Sequence, residues 1–375
     1  MRITLGFTRI FVGVLFIFSG LIKANDPMGL SYKMQEFFEI WGMDFLNDYT
    51  LALSILMIAF EIIAGVAVLV GWQFQLFSWM LFLLIIFFTF LTGYAVFSGK
   101  IKECGCFGDC IKLKADQSFA KDLILLVMTG LLLYKRKSIG SLFSTKFSVS
   151  ILLIVTIASF WVQFYVLKNL PIVDCLPYKV GLTIQEQMKI PAGAIPDSTV
   201  ITFVYAKDGK EVEFDAEHFP NDFNDSLYSF VRRYDKLIRE GDAKPPIKDF
   251  VIIAPSGNDT TQAVLTDPDP QWILFAKSID NDNEDWIKEI SNYAALAAKN
   301  NIRFMAVTSD ADGLGRIFKN NSINLPILKG DLVAIKTAAR SNPTLYHLDR
   351  GKIVSKYGKA QLKGLEAEFN GGTAQ

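Results

Sequence analysis

Five apolar runs crowd the first 167 residues of the chain, at 3–22, 50–71, 74–97, 119–134 and 147–167. A helix needs roughly 20 apolar residues to cross about 30 Å of hydrocarbon. Runs of this length, so closely spaced, dictate a polytopic α-helical membrane bundle whose first partner is the lipid bilayer. The fourth run is the shortest: its uncharged core extends from Leu123 to Tyr134, so Lys121 and Lys135 must snorkel toward the headgroups. The first run has no small-residue cleavage site after its apolar core and is followed by further spans, so it reads as a retained anchor. Overall, 51% of the 375 residues are hydrophobic and 31 are Phe, but the excess is confined to the N-terminal part. Basic and acidic residues balance at 38 each, and no basic stripe suggests a nucleic-acid partner.

Five spans place the two ends of the chain on opposite membrane faces. With the N-terminus inside, the loop after the third span and everything beyond residue 167 face outward. The cluster Lys135-Arg136-Lys137 then lies inside, as the positive-inside tendency prefers. Lys23, Lys33, Lys100, Lys102, Lys112, Lys114, Lys121 and Lys168 would lie outside and oppose it. A clustered thiol loop suits an oxidising compartment, and the outward orientation is the one expected.

Two ionisable residues fall inside the apolar runs. Arg9 is one to two turns into the first helix and Glu61 is near the middle of the second. Each costs on the order of 2.5–3.5 kcal/mol if it faces lipid unpaired. Antiparallel helices would leave their depths about one turn apart, within reach of an arginine side chain. A buried Arg9–Glu61 ion pair is therefore expected, with a quinone or proton site near Glu61 as the sharper alternative.

Three of the four cysteines stand in Cys104-Gly105-Cys106-Phe107-Gly108-Asp109-Cys110, a polar loop between the third and fourth runs. A Cys104–Cys106 bridge closes so small a ring that the chain-entropy gain is only roughly 1.5 kcal/mol, before strain. Strained, exposed disulfides are the readily reduced ones. Gly105 and Gly108 permit the tight backbone, and Lys100, Lys102, Lys112 and Lys114 favour thiolate over thiol. Cys175, just beyond the fifth run, emerges on the same face as this loop. A Cys110–Cys175 bridge would close about 65 residues and contribute on the order of 4 kcal/mol. Four cysteines allow three full pairings, and spacing alone selects none. Metal binding is the weaker reading: C-x-C-x3-C with a distant fourth cysteine is not a usual zinc spacing. His218 and His347 read as surface or core residues rather than ligands.

Phe18-Ser19-Gly20-Leu21-Ile22-Lys23, then Asp26-Pro27-Met28-Gly29 and Tyr32-Lys33, resembles the opening of DoxX-family membrane proteins. Glu61 and Cys104-Gly105-Cys106-Phe107-Gly108-Asp109 extend the resemblance to the related MauE group, over about 1–140. The resemblance implies a four-helix membrane bundle (1–140), to which the run at 147–167 adds a fifth helix. It also implies a role in periplasmic thiol oxidation or disulfide-dependent maturation.

The remainder is expected to be soluble. Residues 168–244 read as an α+β connecting region, with strands at Thr199 to Tyr205 and Lys210 to Asp215 around an Asp208-Gly209 turn, then a charged helix near Asp225 to Arg239. From Pro245 strands and helices alternate: a strand at Trp272 to Ala276, a helix near 284–299, a strand at Arg303 to Thr308, and helices near 314–319 and 332–339. A hairpin turned at Asp349-Arg350-Gly351 and a last helix at about 360–369 close the unit. The order over 245–370 resembles the α/β thioredoxin-like domains of membrane-anchored TlpA-type proteins, in which a cis-proline precedes the final hairpin. Asn342-Pro343 stands at that place, and X–Pro bonds take the cis form at modest cost. The chain departs from that family where its Cys-x-x-Cys should follow the Trp272 strand: residues 278–283 are Ser-Ile-Asp-Asn-Asp-Asn. Without a thiol there is no thiolate chemistry, so this unit can grip or position but not exchange disulfides. The groove beside Asn342 and Pro343 remains as a surface for an extracytoplasmic protein partner or for docking onto the Cys loop.

Two functions are compatible with these residues. In the first, a bacterial inner-membrane protein with a periplasmic C-terminal domain acts as a thiol-disulfide oxidoreductase. Cys104 and Cys106 exchange, Cys110 or Cys175 resolves, and a quinone in the bundle is the natural electron acceptor. In the second, the cysteines are structural staples in a non-enzymatic scaffold whose redox-inert thioredoxin-like domain binds a partner.

Overall fold

The computed structural model describes residues 2–370, apart from 102–104, 106, 196, 197, 216, 217, 225, 240, 242, 249 and 278–283. The N-terminal part is helical: α1 (Arg2–Asn25), α2 (Pro27–Ile40), α3 (Thr50–Val70), α4 (Phe74–Ser98), α5 (Ala115–Tyr134) and α6 (Thr145–Lys168). Among the described residues, α1, α4, α5, α6 and the segment Asp44–Val70 are long and apolar enough to cross a membrane. Together they form a multi-pass membrane unit.

The helix α2 was not anticipated, although its start signal is written in the sequence. Asp26 caps it, the carboxylate accepting from the Gly29 amide, and Pro27 occupies the first helical turn. Its buried Ser31 shares a hydrogen bond with Thr50 at the start of α3, while its buried Phe37 packs with Tyr94 and Ala95 of α4.

The α1–α3 pair sets the depth of every charge in the bundle. The two helices run antiparallel and cross where Gly13, Gly20 and Gly65 let the backbones approach. A Cβ on Gly65 would meet the Gly13 carbonyl at 2.9 Å and the Ile17 amide nitrogen at 3.1 Å. Small residues at such crossings are what permits close helix packing in lipid. This register overturns the expected Arg9–Glu61 pair. Arg9 lies level with the end of α3, where its Nε donates to Val68 O (2.8 Å) and its Nη2 to Leu69 O (2.7 Å). Those carbonyls have no partner within the helix, and a cation there also complements the helix dipole. Val68 is seven residues, roughly 10 Å, from Glu61, too far for one side chain to serve both. Glu61 pairs instead with Lys23.

Beyond α6 the chain passes through α7 (Ile184–Gln187) into a three-stranded antiparallel sheet of β1 (Ser198–Lys207), β2 (Lys210–Asp215) and β3 (Ser229–Arg239), ordered β2-β1-β3. The charged helix expected near 225–239 is thus a strand. Tyr205, Phe214, Phe219, Phe223 and Tyr228 form an aromatic cluster on this sheet, while Arg232 reaches Glu211 and Tyr234 reaches Glu213 across β1. The charges that suggested a helix face are cross-strand partners.

The last part is α/β. Its six-stranded sheet contains β4 (Ile252–Ile253), β5 (Gln271–Ala276), β6 (Arg303–Thr308), β7 (Ile327–Gly330), β8 (Thr344–Asp349) and β9 (Lys352–Gly358). The order is β4-β7-β6-β5-β8-β9, with β5, β6 and β7 parallel and the β8–β9 hairpin antiparallel to β5. Every residue of the central strand β5 is buried. Ile273 and Phe275 enter a core with Phe250, Leu265 and Tyr346, while Trp272 and Leu274 enter a second core with Trp286, Tyr293 and Phe369. The apolar run Trp272–Ala276 is what burial on both faces requires, and the buried Gln271 that opens the strand donates to Val264 O. The helices are α8 (Thr261–Leu265), α9 (Glu284–Lys299), α10 (Ala311–Asn320), α11 (Leu332–Ala338) and α12 (Glu366–Phe369). The single last helix expected over 360–369 is instead a 3-10 turn at Lys359–Gln361 followed by the short α12. The Asn342–Pro343 peptide is cis.

Gly65→Leu should break the α1–α3 crossing, since the new Cβ meets backbone rather than a movable side chain. A loss of about 1–3 kcal/mol is expected for overpacking of this kind. Thermal unfolding in detergent should show it, with Gly6→Leu, where nothing lies within 4 Å of the added Cβ, close to wild type.

Candidate functional site

Two structures converge on one membrane face: a clamp that holds the cysteine loop against the α/β unit, and a cavity beneath that loop. The clamp has a covalent part. Cys110 and Cys175 form a disulfide across a sequence separation of 65. This is one of the pairings the spacing left open. Cys104 and Cys106 lie outside the described residues.

The polar part of the clamp centres on Arg340, which follows α11 and is buried, with 7% of its side chain exposed. Its Nε donates to Asp26 at 2.8 Å and its Nη2 to Asp109 at 2.6 Å, while Nη1 donates to Lys336 O at 2.9 Å. One guanidinium thus bridges the α2 cap, the cysteine loop and its own helix. Arginine suits this role because its planar fork presents several donors in fixed directions. Burial would lower the Arg340 pKa, but Asp26 and Asp109 hold it above its ordinary value. Burial raises the Asp26 carboxyl and Asp109 adds to this, while Arg340 pulls the other way. Severing one partner of such a buried network leaves an uncompensated charge, at a cost of about 3–5 kcal/mol.

Tyr32 of α2 is the second contact. Lys277, at the end of β5, donates from Nζ to the Tyr32 hydroxyl at 3.0 Å. Lys277, Lys336 and Arg340 all stand over the Tyr32 ring, at 5.7, 5.1 and 5.3 Å from its centre. Lys336 also donates to Gln35 at 3.1 Å. Burial, reinforced by Arg340 and Lys336, pushes the Lys277 ammonium down to about 7. Nearby, Asn25 exchanges two hydrogen bonds with Val173, and Lys356 pairs with Asp174 at 2.5 Å.

Asn342 and Pro343 sit inside this contact zone. Pro343 is buried, and the Asn342 side-chain oxygen accepts from the Lys277 amide at 2.9 Å. The adjoining Ser341 donates to Lys168 O at the end of α6. The expected Cys-x-x-Cys position, 278–283, lies outside the described residues. His218 bonds to Asp215 and His347 stacks on Trp272.

The cavity encloses about 110 Å³ within the bundle. Aromatic and aliphatic walls come from α1, α2, α3, α4 and α5, including Phe16, Phe37, Trp41, Phe87, Phe88 and Leu125. Gly105 and Phe107, the neighbours of Cys106 in sequence, line it from the loop. Its polar groups are few. Lys23 donates to both oxygens of Glu61, at 2.8 and 3.0 Å, with the two side chains 3% and 2% exposed. The Lys23 ammonium also stands 4.8 Å from the centre of the Phe88 ring. Lys121 pairs with the buried Asp122, which in turn accepts from Thr92 at 3.1 Å. Glu61 is eleven residues into α3, about 16 Å from its start, while Lys23 is two residues from the end of α1.

Residues 1–135 match the family of the methylamine utilisation protein MauE. The resemblance to the MauE group is therefore met over residues 1–135. Residues 199–240, the three-stranded sheet, match a domain of unknown function, DUF8463. No curated protein matches the chain. The MauE-like part supplies every wall of the cavity and one half of the clamp; the α/β unit supplies the other half.

Sequence reasoning gave no site role to Lys23, Asp26, Tyr32, Asp122, Lys277 or Arg340. Lys23, Asp26 and Tyr32 stand in the opening motif, so a signal for them existed. Arg340 and Lys277 meet partners more than 200 residues away, which no local pattern encodes.

The depressed Lys277 pKa gives the clamp a pH dependence. An undocked Lys277 holds its proton up to about 10.5 and a docked one only up to about 7. Between those values the undocked state binds more protons, so docking strengthens as pH rises from about 7 to about 10.5, and the full penalty is present below. Lys277→Met should raise the melting temperature of the α/β unit at pH 7 and reduce its climb toward pH 10. Scans of both proteins across that range would check it.

Proposed function

We propose that the protein supports thiol-disulfide chemistry at the outer face of the membrane, with Cys104 and Cys106 as the exchanging pair. One observation carries this reading. With Cys110 and Cys175 joined, Cys104 and Cys106 are the two cysteines left in the sequence. They stand one residue apart in the sequence, flanked by lysines, and their neighbours Gly105 and Phe107 line the cavity.

In this reading a thiolate of an extracytoplasmic protein attacks one sulfur of a Cys104–Cys106 disulfide. The S–S bond breaks, a mixed disulfide forms, and the departing sulfur leaves as thiolate. The second thiol of the partner then displaces the first, so the partner gains a disulfide and the loop becomes a dithiol. The Cys110–Cys175 bridge takes no part; it holds the loop in place. The inner-membrane setting with the C-terminal part in the periplasm goes with this chemistry, because a disulfide persists in an oxidising compartment.

The α/β unit acts as a grip. Its central parallel strands, the antiparallel β8–β9 hairpin and the placement of Pro343 directly before β8 support a thioredoxin-like fold. Its sequence carries no cysteine after Cys175. The face beside Asn342 and Pro343 is then turned onto the protein's own cysteine loop rather than toward a separate partner. The scaffold alternative draws on the same clamp: a disulfide and a buried Arg340 network are what a purely structural assembly would also use.

Thiol trapping in cells separates the two. An exchanger should show a mixed redox population at Cys104/Cys106 and a fully oxidised Cys110–Cys175 link. Cys104→Ser with Cys106→Ser should leave the protein folded while shifting the redox state of other envelope proteins. A loop that is wholly oxidised or wholly inert, with no such shift, would leave the scaffold reading.

A further inference from the structure

We infer that the α/β unit binds a sugar acid, a polyhydroxylated ring bearing a carboxylate, in a cleft framed by α7, α8 and the β8–β9 turn. Lys189 and Arg350 hold the carboxylate, while Thr183, Gln262 and Thr266 meet the hydroxyls. Such a site uses none of the cysteines and is independent of the thiol-disulfide reading.

The cleft measures about 510 Å³, within the range of small-molecule sites. Backbone hydrogen bonds hold its walls in place. The Ile184 amide donates to Gly351 O at 2.9 Å, the Gly181 amide to Ile353 O at 2.8 Å and the Ile353 amide to Leu182 O at 2.9 Å. On the other side, the Gln185 side chain donates to Leu265 O at the end of α8. Gly351 admits this close packing, since a Cβ there would collide with Gln185 and with the Leu265 carbonyl. Three segments far apart in sequence thus make one fixed rim. The six residues of β8 separate that rim from Pro343, a distance of about 20 Å in extended backbone. The cleft therefore lies well away from the clamp.

The lining decides the ligand. Lys189 and Arg350 face the cleft, and no carboxylate lines it among the described residues. Both side chains are exposed, and neither has an ion-pair partner among the described residues. Arg350 also stands where the turn resists it. Its φ is +49° and that of Gly351 is +73°, the two positive angles of a two-residue hairpin turn whose first place favours Asn, Asp or Gly. Arginine there weakens the turn but sets a planar fork of donors at the cleft, suited to gripping a carboxylate through two parallel hydrogen bonds. The rest of the polar lining is neutral. Gln262, Thr183 and Thr266 each both donate and accept, as the hydroxyls of a sugar do. An acidic peptide would bring apolar side chains as well, and Met188 is the one apolar residue lining the cleft.

The test is titration calorimetry on the full-length protein in phosphatidylcholine nanodiscs, with trigalacturonate as the probe. Its neutral methyl ester controls for charge, and triglutamate controls for the hydroxyls. Trigalacturonate should bind saturably and at least tenfold more tightly than either control. Arg350→Gly removes the guanidinium yet suits the turn, so its melting temperature should match or exceed that of wild type while affinity falls at least tenfold. Lys189→Gln should weaken binding to a similar extent. Lys319→Gln, on the exposed side of α10 and outside the cleft, should bind as wild type does. Absence of binding by the wild type, or unchanged affinity in a folded Arg350→Gly protein, would overturn the site. Equal binding of the ester would remove the carboxylate from the inference, and equal binding of triglutamate would remove the sugar; either result overturns it as stated.

Discussion

One guanidinium ties three pieces of this molecule together. Arg340 leaves α11 and reaches Asp26 at the cap of α2 and Asp109 in the cysteine loop. Neither carboxylate is near the other in sequence, and Asp26 is mostly buried. Their mutual repulsion and the desolvation of Asp26 would drive the loop and α2 apart if no cation stood between them. Because Arg340 belongs to the α/β unit, this face of the bundle is complete only when that unit is docked. The disulfide one residue beyond Asp109 adds a covalent limit to how far the parts can separate.

A second charge pair works at the other end of the cavity. Lys23 and Glu61 are buried among phenylalanines, and the α1–α3 glycine crossing fixes the height at which they meet. Arg9, the other charge near the start of α1, is used up by the open carbonyls at the end of α3. The bundle thus has a neutralised base and a polar pocket higher up, and the cysteine loop closes the top. Charge placement along a single helix, α1, sets Arg9 against the last carbonyls of α3 and Lys23 beside the cavity.

The membrane helices were legible because their length is imposed by the bilayer rather than by neighbours. The same holds for β5, whose unbroken apolar run requires burial on both faces. Pairing choices were less legible. Arg9 and Glu61 are the obvious opposite charges in the apolar runs, but their match depends on helix register, which Gly13, Gly20 and Gly65 decide. The strand at Ser229–Arg239 was misread because its charges recur at intervals that suit a helix face as well as an edge strand. The Cys110–Cys175 bridge of the clamp is one of the pairings the cysteine spacing allows, but its Arg340 and Lys277 contacts could not be read from local pattern, since those partners are joined only by docking. Its bundle half was nonetheless written in the Asp26-Pro27 cap and Tyr32, residues already singled out for their family likeness.

The disulfide has a consequence for how the molecule is made. Cys104, Cys106 and Cys110 are synthesised 65 residues or more before Cys175. At about 5–20 residues per second, that interval is several seconds. Throughout it the three sulfurs have only one another, and α6 has yet to carry the fourth across the bilayer. Any link made within the loop at that time that involves Cys110 must be undone before the long-range one can close. The long-range link therefore forms directly only if Cys110 is still a thiol when Cys175 arrives.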